Sequence, residues 1–488
     1  MMSASSTIPP TASAGQDLDE LLDSSRMSFG HWIAAGMFFL IMMADGYDLY
    51  VMVQLLPTIA KSFAVSTAVL TTAYATQTLG QAVGALGISP IADRFGRKPL
   101  LIICMILLGI ATFAGSFSAT AEQFTTTRFI AGAFGGAIMP ITVSLAADIA
   151  PTKWRSNFIG ITYAGIGIGG MLAAVAVSLL LDSQGWHRLF YIGSFLPVII
   201  AVLFALFGIE SLRHRARKNG GDSRIVKDLK RIGIPTLPGA HFVTLSGTSK
   251  DKAISLVEIF RGKYAVVTVL LTIAAMCTLT AGTLFSMVPT FYHEIEGIPL
   301  AKVVAPLAFF QVIALPLSFL YGVIMDKIGR FRVIWFYASA APIALICLAY
   351  TKFGDWKFTV VFLLCGFFVN ASLQSLSIVV PTLYPSMMRA AALGWKAGSG
   401  RLASMTAPLL AGVILASKAS ILTALATLCV PMVVLALVIP ALMRAVRKAD
   451  QTPGWASSSS AGLYSAIRQF SLRIGVQRTV FPSGSCAT

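Results

Sequence analysis

The sequence predicts an all-α polytopic membrane protein with about twelve transmembrane helices arranged as two similar halves. Of its 488 residues, 56% are hydrophobic and only 12% are charged, which is more apolar than a soluble protein of this size can bury. A helix needs about 20 mostly apolar residues to cross a bilayer. Such stretches recur along most of the chain between polar or charged segments, so the bilayer is the expected solvent.

The apolar stretches also divide the chain into domains. The twelve predicted spans cover residues 32–56, 68–91, 99–118, 124–148, 157–181, 188–209, 265–290, 300–324, 332–350, 357–381, 389–415 and 420–444. We therefore predict a disordered cytosolic N-terminus over 1–28, a six-helix bundle over 29–210 and a cytosolic central loop over 211–264. A second six-helix bundle follows over 265–446, and a mostly disordered cytosolic tail over 447–488.

Positively charged residues mark one side of the predicted membrane domain. They follow the second, fourth, eighth and twelfth spans, at Arg94, Arg97, Lys98, Lys153, Arg155, Lys327, Arg330, Arg332, Arg444, Arg447 and Lys448. The positive-inside rule places these segments and both termini in the cytosol, which predicts a multi-pass protein of a bacterial inner membrane. The net charge is +17, but the basic residues form no continuous face with interleaved aromatic residues, so no nucleic-acid partner is expected.

Two short motifs occur twice in the chain. The segment 93–97, Asp-Arg-Phe-Gly-Arg, follows the second span and returns as Asp-Lys-Ile-Gly-Arg over 326–330 after the eighth span. The segment 151–155 follows the fourth span, and its Pro and Arg return in 385–389 after the tenth. Two independent motifs that recur in the same order indicate a duplicated six-helix unit.

The turn over residues 89–98 resembles the loop signature of the major facilitator superfamily, which reads Gly, three residues, Asp-Arg, one residue, Gly-Arg-Lys. Ser89 stands at the first Gly of that pattern, whereas the second copy keeps Gly322. The resemblance implies the major-facilitator fold, in which two six-helix bundles rock about a central site. The Asp93 carboxylate can accept charge-assisted hydrogen bonds and cap a helix N-terminus, while Gly96 suits a tight turn.

These charged segments are expected to close the cytosolic side when the carrier faces outward. The predicted gating residues are Asp93, Arg94, Gly96, Arg97, Asp148, Arg155, Asp326, Lys327, Gly329, Arg330 and Arg389. The alternative is that the segments are only topogenic, setting the orientation of the spans.

The first span carries two carboxylates, Asp45 and Asp48. Acidic residues inside a span are costly and are functional by default. The two lie three residues apart, a rise of about 4.5 Å on one helix face, so one of them is favoured to take up a proton. We predict that this pair couples transport to protons, without a choice between the two. The alternative is that one of them pairs with a cation to hold helices together.

The run Asp-Gly-Tyr-Asp over 45–48 resembles the first span of the aromatic acid:proton symporter family within the superfamily. The likeness extends to Arg128, Phe129, Gly132, Gly135, Gly136 and Pro140, to residues 185–193, to Glu210 and Ser211, and to Gly394, Trp395, Gly400 and Arg401. The resemblance implies import of a benzoate-like carboxylate together with protons. Lys396 departs from the small or apolar residue expected there in that family.

Two cations inside the spans, Arg128 and Arg401, are the predicted anion contacts, because a guanidinium can hold a carboxylate at two points. Either could instead neutralise an aspartate of the first span. Polar residues at membrane depth that are candidates to line the binding cavity are Tyr47, Tyr50, Tyr74, Gln77, Gln311, Asn370 and Gln374. The glycine-rich stretch 165–170 lies inside a span with no strand before it, so it predicts close helix packing and not a phosphate loop.

We therefore predict a proton-coupled symporter that imports a small organic acid, an aromatic carboxylate of the benzoate or hydroxybenzoate type, by alternating access. The alternatives are a transporter of another metabolite (a dicarboxylate, phosphate or a sugar), a drug exporter, or a transport-like sensor. The spans contain no nucleophile and base pair and no metal-ligand cluster, so neither an enzyme nor a cofactor is expected. The expected partners are the organic anion, protons and the lipid bilayer, with the protein as a monomer.

Overall fold

The computed structural model describes residues 16–25, 27–219, 221–234, 242–243, 256–262, 264–384 and 388–450. These residues are mainly helical. Two short strands, β1 (Gln16–Asp17) and β2 (Phe242–Val243), pair in parallel.

The helices before the central loop are α1 (Leu18–Ser24), α2 (Phe29–Ser62), α3 (Thr67–Val83), α4 (Ala92–Phe95), α5 (Arg97–Ser116), α6 (Ala121–Ile149) and α7 (Arg155–Phe207). A π-helical turn (Gly84–Ile88) and a 3-10 turn (Ser89–Ile91) continue α3. The later helices are α8 (Leu212–Lys218), α9 (Ser223–Arg231), α10 (Tyr264–Ser286), α11 (Val288–Glu296), α12 (Leu300–Ile328), α13 (Arg330–Ala349), α14 (Trp356–Leu383), α15 (Arg389–Ser404), α16 (Thr406–Ala416) and α17 (Ile421–Asp450).

Nine helices in the described part of the chain are long and apolar enough to cross a membrane. One of them, α7, has 53 residues, but it consists of two helices that meet at a break in the backbone. Its backbone leaves the helical conformation at Gly185 (φ 72°, ψ 169°), between the predicted fifth and sixth spans. Each predicted span overlaps a helix of the structure. The total of twelve stays a prediction.

The long helices pack in two groups. The N-terminal group comprises α2, α3, α5, α6 and α7, and the C-terminal group comprises α10 to α17. The groups meet where α12 contacts α7, where α15 and α16 contact α3, and where α11 contacts α2. We call the end of the molecule that carries Arg97, Arg155, Arg213 and Arg330 the basic end, and the other the opposite end.

Glycines let α2 and α7 approach each other closely. A Cβ added to Gly169 would lie 2.1 Å from the carbonyl oxygen of Met43, and one added to Gly46 would lie 2.5 Å from that of Ile166. Real Cβ atoms do not approach a carbonyl oxygen so closely, so only glycine allows this backbone contact. The prediction that the glycine-rich stretch packs against another helix is confirmed.

The repeated motif forms the same turn in both copies. Gly96 (φ 104°) separates α4 from α5, and Gly329 (φ 107°) separates α12 from α13. Residues with a Cβ rarely adopt this conformation, which explains a glycine at both positions. The next residue of each copy, Arg97 or Arg330, begins a long helix.

Within the segment 1–28, for which disorder was expected, residues 16–24 form β1 and α1 in the structure. Leu18 and Leu22 of α1 are fully buried in one cluster with Leu229 of α9 and Phe242 of β2. The apolar side chains of α1 thus find a core in the central loop. Residues 1–15, and 451–488 of the predicted disordered tail, lie outside the described residues.

An ion pair orders the same loop. Arg215 Nη1 of α8 lies 2.5 Å from Asp228 Oδ2 of α9. Burial raises the pKa of the Asp228 carboxyl, and the charges of Arg215 and Arg231 oppose that shift.

Gly169→Val is expected to destabilise the protein by about 2 kcal/mol or more, because the added side chain must push α2 away from α7. The measurement is the unfolding temperature of the purified protein in detergent. Gly160→Val is the matched control on the same helix, since a Cβ there meets nothing within 4 Å. Equal unfolding temperatures for the two variants would contradict this account of the packing.

Candidate functional site

A cavity of about 230 Å³ lies between the two groups of helices. Its lining combines rings and polar groups: Tyr50 from α2, Tyr74 and Thr78 from α3, Gln81 from the end of α3, Phe285 and Ser286 from α10, Phe310 and Gln311 from α12, Asn370 from α14, and Arg401 and Ser404 from α15. Such a surface suits a small, flat, mostly apolar molecule with a few polar substituents.

Arg401 is the only charged residue that lines this cavity among the described residues. Its Nη1 atom lies 3.5 Å from the carbonyl oxygen of Gln81 and 3.4 Å from that of Gly136, and its Nη2 atom lies 3.0 Å from Met139 Sδ. These three partners are uncharged and belong to the N-terminal group. The guanidinium therefore crosses the interface between the groups and has capacity left for an anion.

Arg128 lies in the interior of the N-terminal group, away from the cavity lining. Its Nη1 atom is 3.4 Å from Asp48 Oδ1, its Nη2 atom donates to the carbonyl oxygen of Ala111, and it is fully buried. The rings of Phe124 and Phe190 lie 5.5 and 5.0 Å from the guanidinium carbon. These aromatic faces and Asp48 together compensate the buried charge.

Asp48 of α2 is held by residues of three other helices. In addition to Arg128 of α6, its Oδ1 atom accepts a hydrogen bond from Thr112 of α5 at 2.8 Å, and its Oδ2 atom accepts one from Gln77 of α3 at 3.2 Å. The carboxylate is 3% exposed and has partners on both oxygens. This network joins α2, α3, α5 and α6.

Asp45 has different surroundings although it lies one turn away. It is 5% exposed, and a Cβ added to Gly135 would lie 3.2 Å from its Oδ1 atom. Within the described ranges it has neither a hydrogen bond nor an ion pair within 4 Å. Its strongest charged neighbour is Arg401, which attracts it electrostatically. The structure thus separates the two aspartates that the sequence could not tell apart.

Of the other residues predicted to line the cavity, some do so in the structure and others do not. Gln311 and Asn370 line it, and Gln311 lies beside Tyr50. Tyr47 instead donates to the carbonyl oxygen of Leu189 at 3.1 Å and is buried, and Gln374 is half-buried outside the lining. The geometry therefore favours Arg401 over Arg128 as the anion contact.

At the basic end, the predicted gating residues Arg97 and Asp148 contact each other within the N-terminal group. Arg97 Nη1 and the hydroxyl of Ser211 both donate to Asp148 Oδ2, and Arg213 Nη1 lies 3.8 Å from Asp148 Oδ1. This cluster joins the start of α5 to the end of α6 and the start of α8. It does not bridge the two groups of helices.

Glu210 is a residue of this cluster to which the sequence assigned no role. Its carboxylate accepts from the backbone N–H groups of Arg97 and Lys98 at 3.0 and 3.2 Å, and so caps the N-terminus of α5. Lys98 Nζ donates in return to the carbonyl oxygens of Ala205 and Gly208 at the end of α7. The feature of the sequence that could have pointed to Glu210 is an acidic residue immediately after a long apolar span.

The two ends of the interface differ. At the basic end, the side chain of Asp93 is 74% exposed, and its Oδ1 atom lies 3.4 Å from Arg97 Nη2. At the opposite end, Thr67 of α3 donates to Glu294 of α11 at 2.9 Å across the interface. A Cβ added to Gly412 of α16 would lie 2.3 Å from Thr71 Oγ1, so these helices touch.

For the other predicted gating residues, the structure gives the exposure of three side chains. Arg94 and Lys327 are exposed, and Arg155 is half-buried. The side chains of Asp326 and Arg389 fall outside the described part of the structure. Among the described residues, the two groups of helices thus touch at the opposite end, and neither a hydrogen bond nor an ion pair joins Asp93 to the C-terminal group.

A sequence profile of the Major Facilitator Superfamily matches residues 37–369. The chain belongs to this superfamily. A 4-hydroxybenzoate transporter of Acinetobacter baylyi is 28% identical over 86% of this chain and 93% of its own length. A gallate transporter of Pseudomonas putida is 25% identical over 84% of this chain and 91% of its own length. A benzoate transport protein of Acinetobacter baylyi is 26% identical over 82% of this chain and 86% of its own length.

Solved structures of the superfamily share the fold. An inward-facing, unoccupied bacterial homologue of the human lysosomal transporter Spinster aligns with a TM-score of 0.66 at 16% identity, over 88% of this chain and all of that one. The xylose transporter XylE of Escherichia coli, in a partially occluded inward open state, aligns with a TM-score of 0.65 at 17% identity. The alignment covers 84% of this chain and 97% of that one. As a member of the Major Facilitator Superfamily, the protein is a transporter and not an enzyme.

Asp48→Asn or Arg128→Met in this superfamily member is expected to lower the free energy of unfolding by about 3 to 5 kcal/mol, because each substitution leaves one buried charge without its partner. The double variant is expected to lose less stability than the sum of the losses of the two single variants, since it removes both charges. The readout is the unfolding temperature in detergent. Asp45→Asn is the matched control on the same helix, and an equal loss there would contradict a special role for the Asp48 pair.

Proposed function

We propose that this transporter is a proton-coupled symporter that imports an aromatic carboxylate of the benzoate or hydroxybenzoate type by alternating access. The observation that carries the proposal is the position of Arg401 in an aromatic-lined cavity, next to an aspartate that has no ion-pair partner within the described ranges. The similarity to transporters named for 4-hydroxybenzoate, gallate and benzoate supports the same substrate class.

In the proposed complex, the substrate carboxylate binds the guanidinium of Arg401 at two points. The ring then lies among the side chains of Tyr50, Tyr74 and Phe310, where the cavity is apolar. Gln311 and Asn370 lie on the same lining and can bond to ring hydroxyl groups.

Asp45 is the proposed proton carrier. Its carboxylate and the carboxylate of the substrate compete for the positive charge of Arg401. A proton on Asp45 releases Arg401 for the substrate, and loss of that proton in the cytosol draws Arg401 back and weakens substrate binding. Asp48 is a poorer candidate, because Arg128 already neutralises it and residues of two further helices hold it in place.

The proposed cycle alternates between closure at the two ends. In the present conformation Thr67 and Glu294 contact each other at the opposite end, and within the described residues Asp93 has neither a hydrogen bond nor an ion pair to the C-terminal group. In the outward-facing state Asp93 and its second copy Asp326 would engage the facing bundle at the basic end. We place that end in the cytosol with both termini, in a bacterial inner membrane, and the transporter acts as a monomer with one cavity of its own.

The test of this function is uptake of labelled benzoate and 4-hydroxybenzoate into proteoliposomes with an inward proton gradient. We expect accumulation that collapses when the gradient is dissipated, and inhibition by unlabelled aromatic acids but not by succinate, phosphate or xylose. Accumulation of one of those three in place of the aromatic acids would overturn the substrate class. Uptake that ignores the gradient would overturn the coupling.

Asp45→Asn is expected to abolish gradient-driven accumulation while exchange of labelled for unlabelled substrate continues, since Arg401 is left free to bind. A gradient of one pH unit is worth about 1.4 kcal/mol, a tenfold concentration ratio, for each proton coupled. The variant should therefore equilibrate its substrate without concentrating it. Asp182→Asn, which removes an exposed carboxylate, is the control and should behave like the parent. Full accumulation by Asp45→Asn would place coupling elsewhere.

A further inference from the structure

A groove of about 230 Å³ lies at the basic end of the N-terminal group, apart from the substrate cavity. It runs between the start of α2 and the start of α7. Its lining is mainly apolar and comprises Met27, Trp32, Trp154, Asn157, Phe158 and Ile161. Phe158 is buried and packs edge-on against Phe38 of α2, with ring centroids 6.1 Å apart. The floor of the groove is therefore a well-packed aromatic surface.

The groove opens toward the surrounding bilayer. On α7, the exposed side chains of Leu172 and Leu179 follow Ile161 by about three and five helical turns, so the three residues share one stripe. Ile166, which lines the substrate cavity, lies about 140° away around the same helix. Because α7 is long and apolar enough to cross the membrane, its exposed apolar stripe contacts lipid.

Two tryptophans mark the level at which the groove meets the lipid headgroups. Trp32 belongs to an exposed stripe of α2 that includes Phe29 and Ile33, and Trp154 is exposed in the 3-10 turn Thr152–Trp154 that precedes α7. Tryptophan is enriched at membrane–water interfaces, because its ring is apolar and its N–H group is polar. Within the described residues neither indole N–H group has a hydrogen bond, so both are available to an acceptor.

The rim of the groove combines a cation with a polar amide. Lys153, immediately before Trp154, is exposed and within the described residues has neither a hydrogen bond nor an ion pair. Asn157 follows it by four residues and is exposed in the groove. α1 packs against this turn, but its exposed carboxylate Glu20 makes no ion pair with Lys153. The six lining residues include no acid, so the rim suits a phosphate group.

From these contacts we infer that the groove binds one anionic phospholipid of the cytosolic leaflet, of the phosphatidylglycerol class. An acyl chain lies against Phe158 and Ile161, and the phosphate lies beside Lys153, Asn157 and the indole N–H groups. The cytosolic leaflet follows from the positive charge of the basic end, which also attracts anionic headgroups. Both helices belong to the N-terminal group, so the inference does not depend on which compound is transported.

The experiment is native mass spectrometry of the purified full-length protein in detergent, titrated with dioleoylphosphatidylglycerol or dioleoylphosphatidylcholine. We expect the first phosphatidylglycerol to bind the parent at least about fivefold more tightly than the first phosphatidylcholine, whose choline neutralises its phosphate. Lys153→Gln should remove most of this preference, because it removes the cation at the rim. Lys227→Gln, which removes an exposed charge of α9, is the matched control and should keep the preference.

A second variant tests the groove itself. Ile161→Trp places a larger ring in the path of the acyl chain and is expected to weaken phosphatidylglycerol binding by about tenfold or more. Leu179→Trp is its control, because residue 179 lies on the same stripe of α7, is 70% exposed and is outside the groove. This control should bind phosphatidylglycerol like the parent.

The inference is overturned if the two lipids bind the parent equally, which means non-specific annular lipid only. It is also overturned if Ile161→Trp and Leu179→Trp bind phosphatidylglycerol alike. The unfolding temperature of each variant shows whether it is folded. Should Ile161→Trp fail to fold, an unchanged lipid preference in Lys153→Gln is enough to refute the site.

Discussion

A charge inside the membrane needs a compensating partner, and the ion pair of Arg128 and Asp48 meets this requirement for the N-terminal group of helices. Arg128 has no contact with solvent, and Asp48 receives hydrogen bonds from two further helices. Neither residue can leave the pair without exposing the other to an apolar interior. The network therefore holds α2, α3, α5 and α6 in one arrangement, and the glycines of α7 pack against α2 beside it.

The character of the cavity depends on this neutral network. Because Asp48 is already compensated, Asp45 is the carboxylate of the first long helix that faces the charge of Arg401. Among the described residues, the hydrogen bonds of Arg401 across the interface go to uncharged atoms of Gln81, Gly136 and Met139. Weak polar contacts of this kind can be exchanged for a substrate or broken when the two groups of helices move.

Contacts within one group and contacts between the groups have different chemistry. At the basic end, Arg97, Asp148 and Glu210 form charge-assisted bonds inside the N-terminal group, and Glu210 and Lys98 cap facing helix ends. Between the groups, the opposite end is held by the hydrogen bond of Thr67 to Glu294 and by close packing at Gly412. Charge-assisted bonds thus hold the N-terminal group together, whereas the interface relies on contacts that can be remade.

Much of the fold follows from the sequence alone. The apolar stretches, the repeated turn with Gly96 and Gly329, and the positive charge on one side define a duplicated helical membrane protein, because span length and turn conformation are local properties. The family resemblance in the Asp45–Asp48 run similarly pointed to the transporters of aromatic acids with which the chain aligns.

The division of roles among the charged residues depends on tertiary structure. Periodicity places Asp45 and Asp48 on one helix, but which of them meets Arg128 and which faces Arg401 depends on how α6 and α15 pack against it. The same holds for Glu210, whose partners are distant backbone N–H groups, and for α1, whose Leu18 and Leu22 are buried by a loop some two hundred residues away. The sequence by itself thus determined the helices and the candidate charges, and the packing decided which charges are compensated, because compensation depends on distances between residues far apart in the chain.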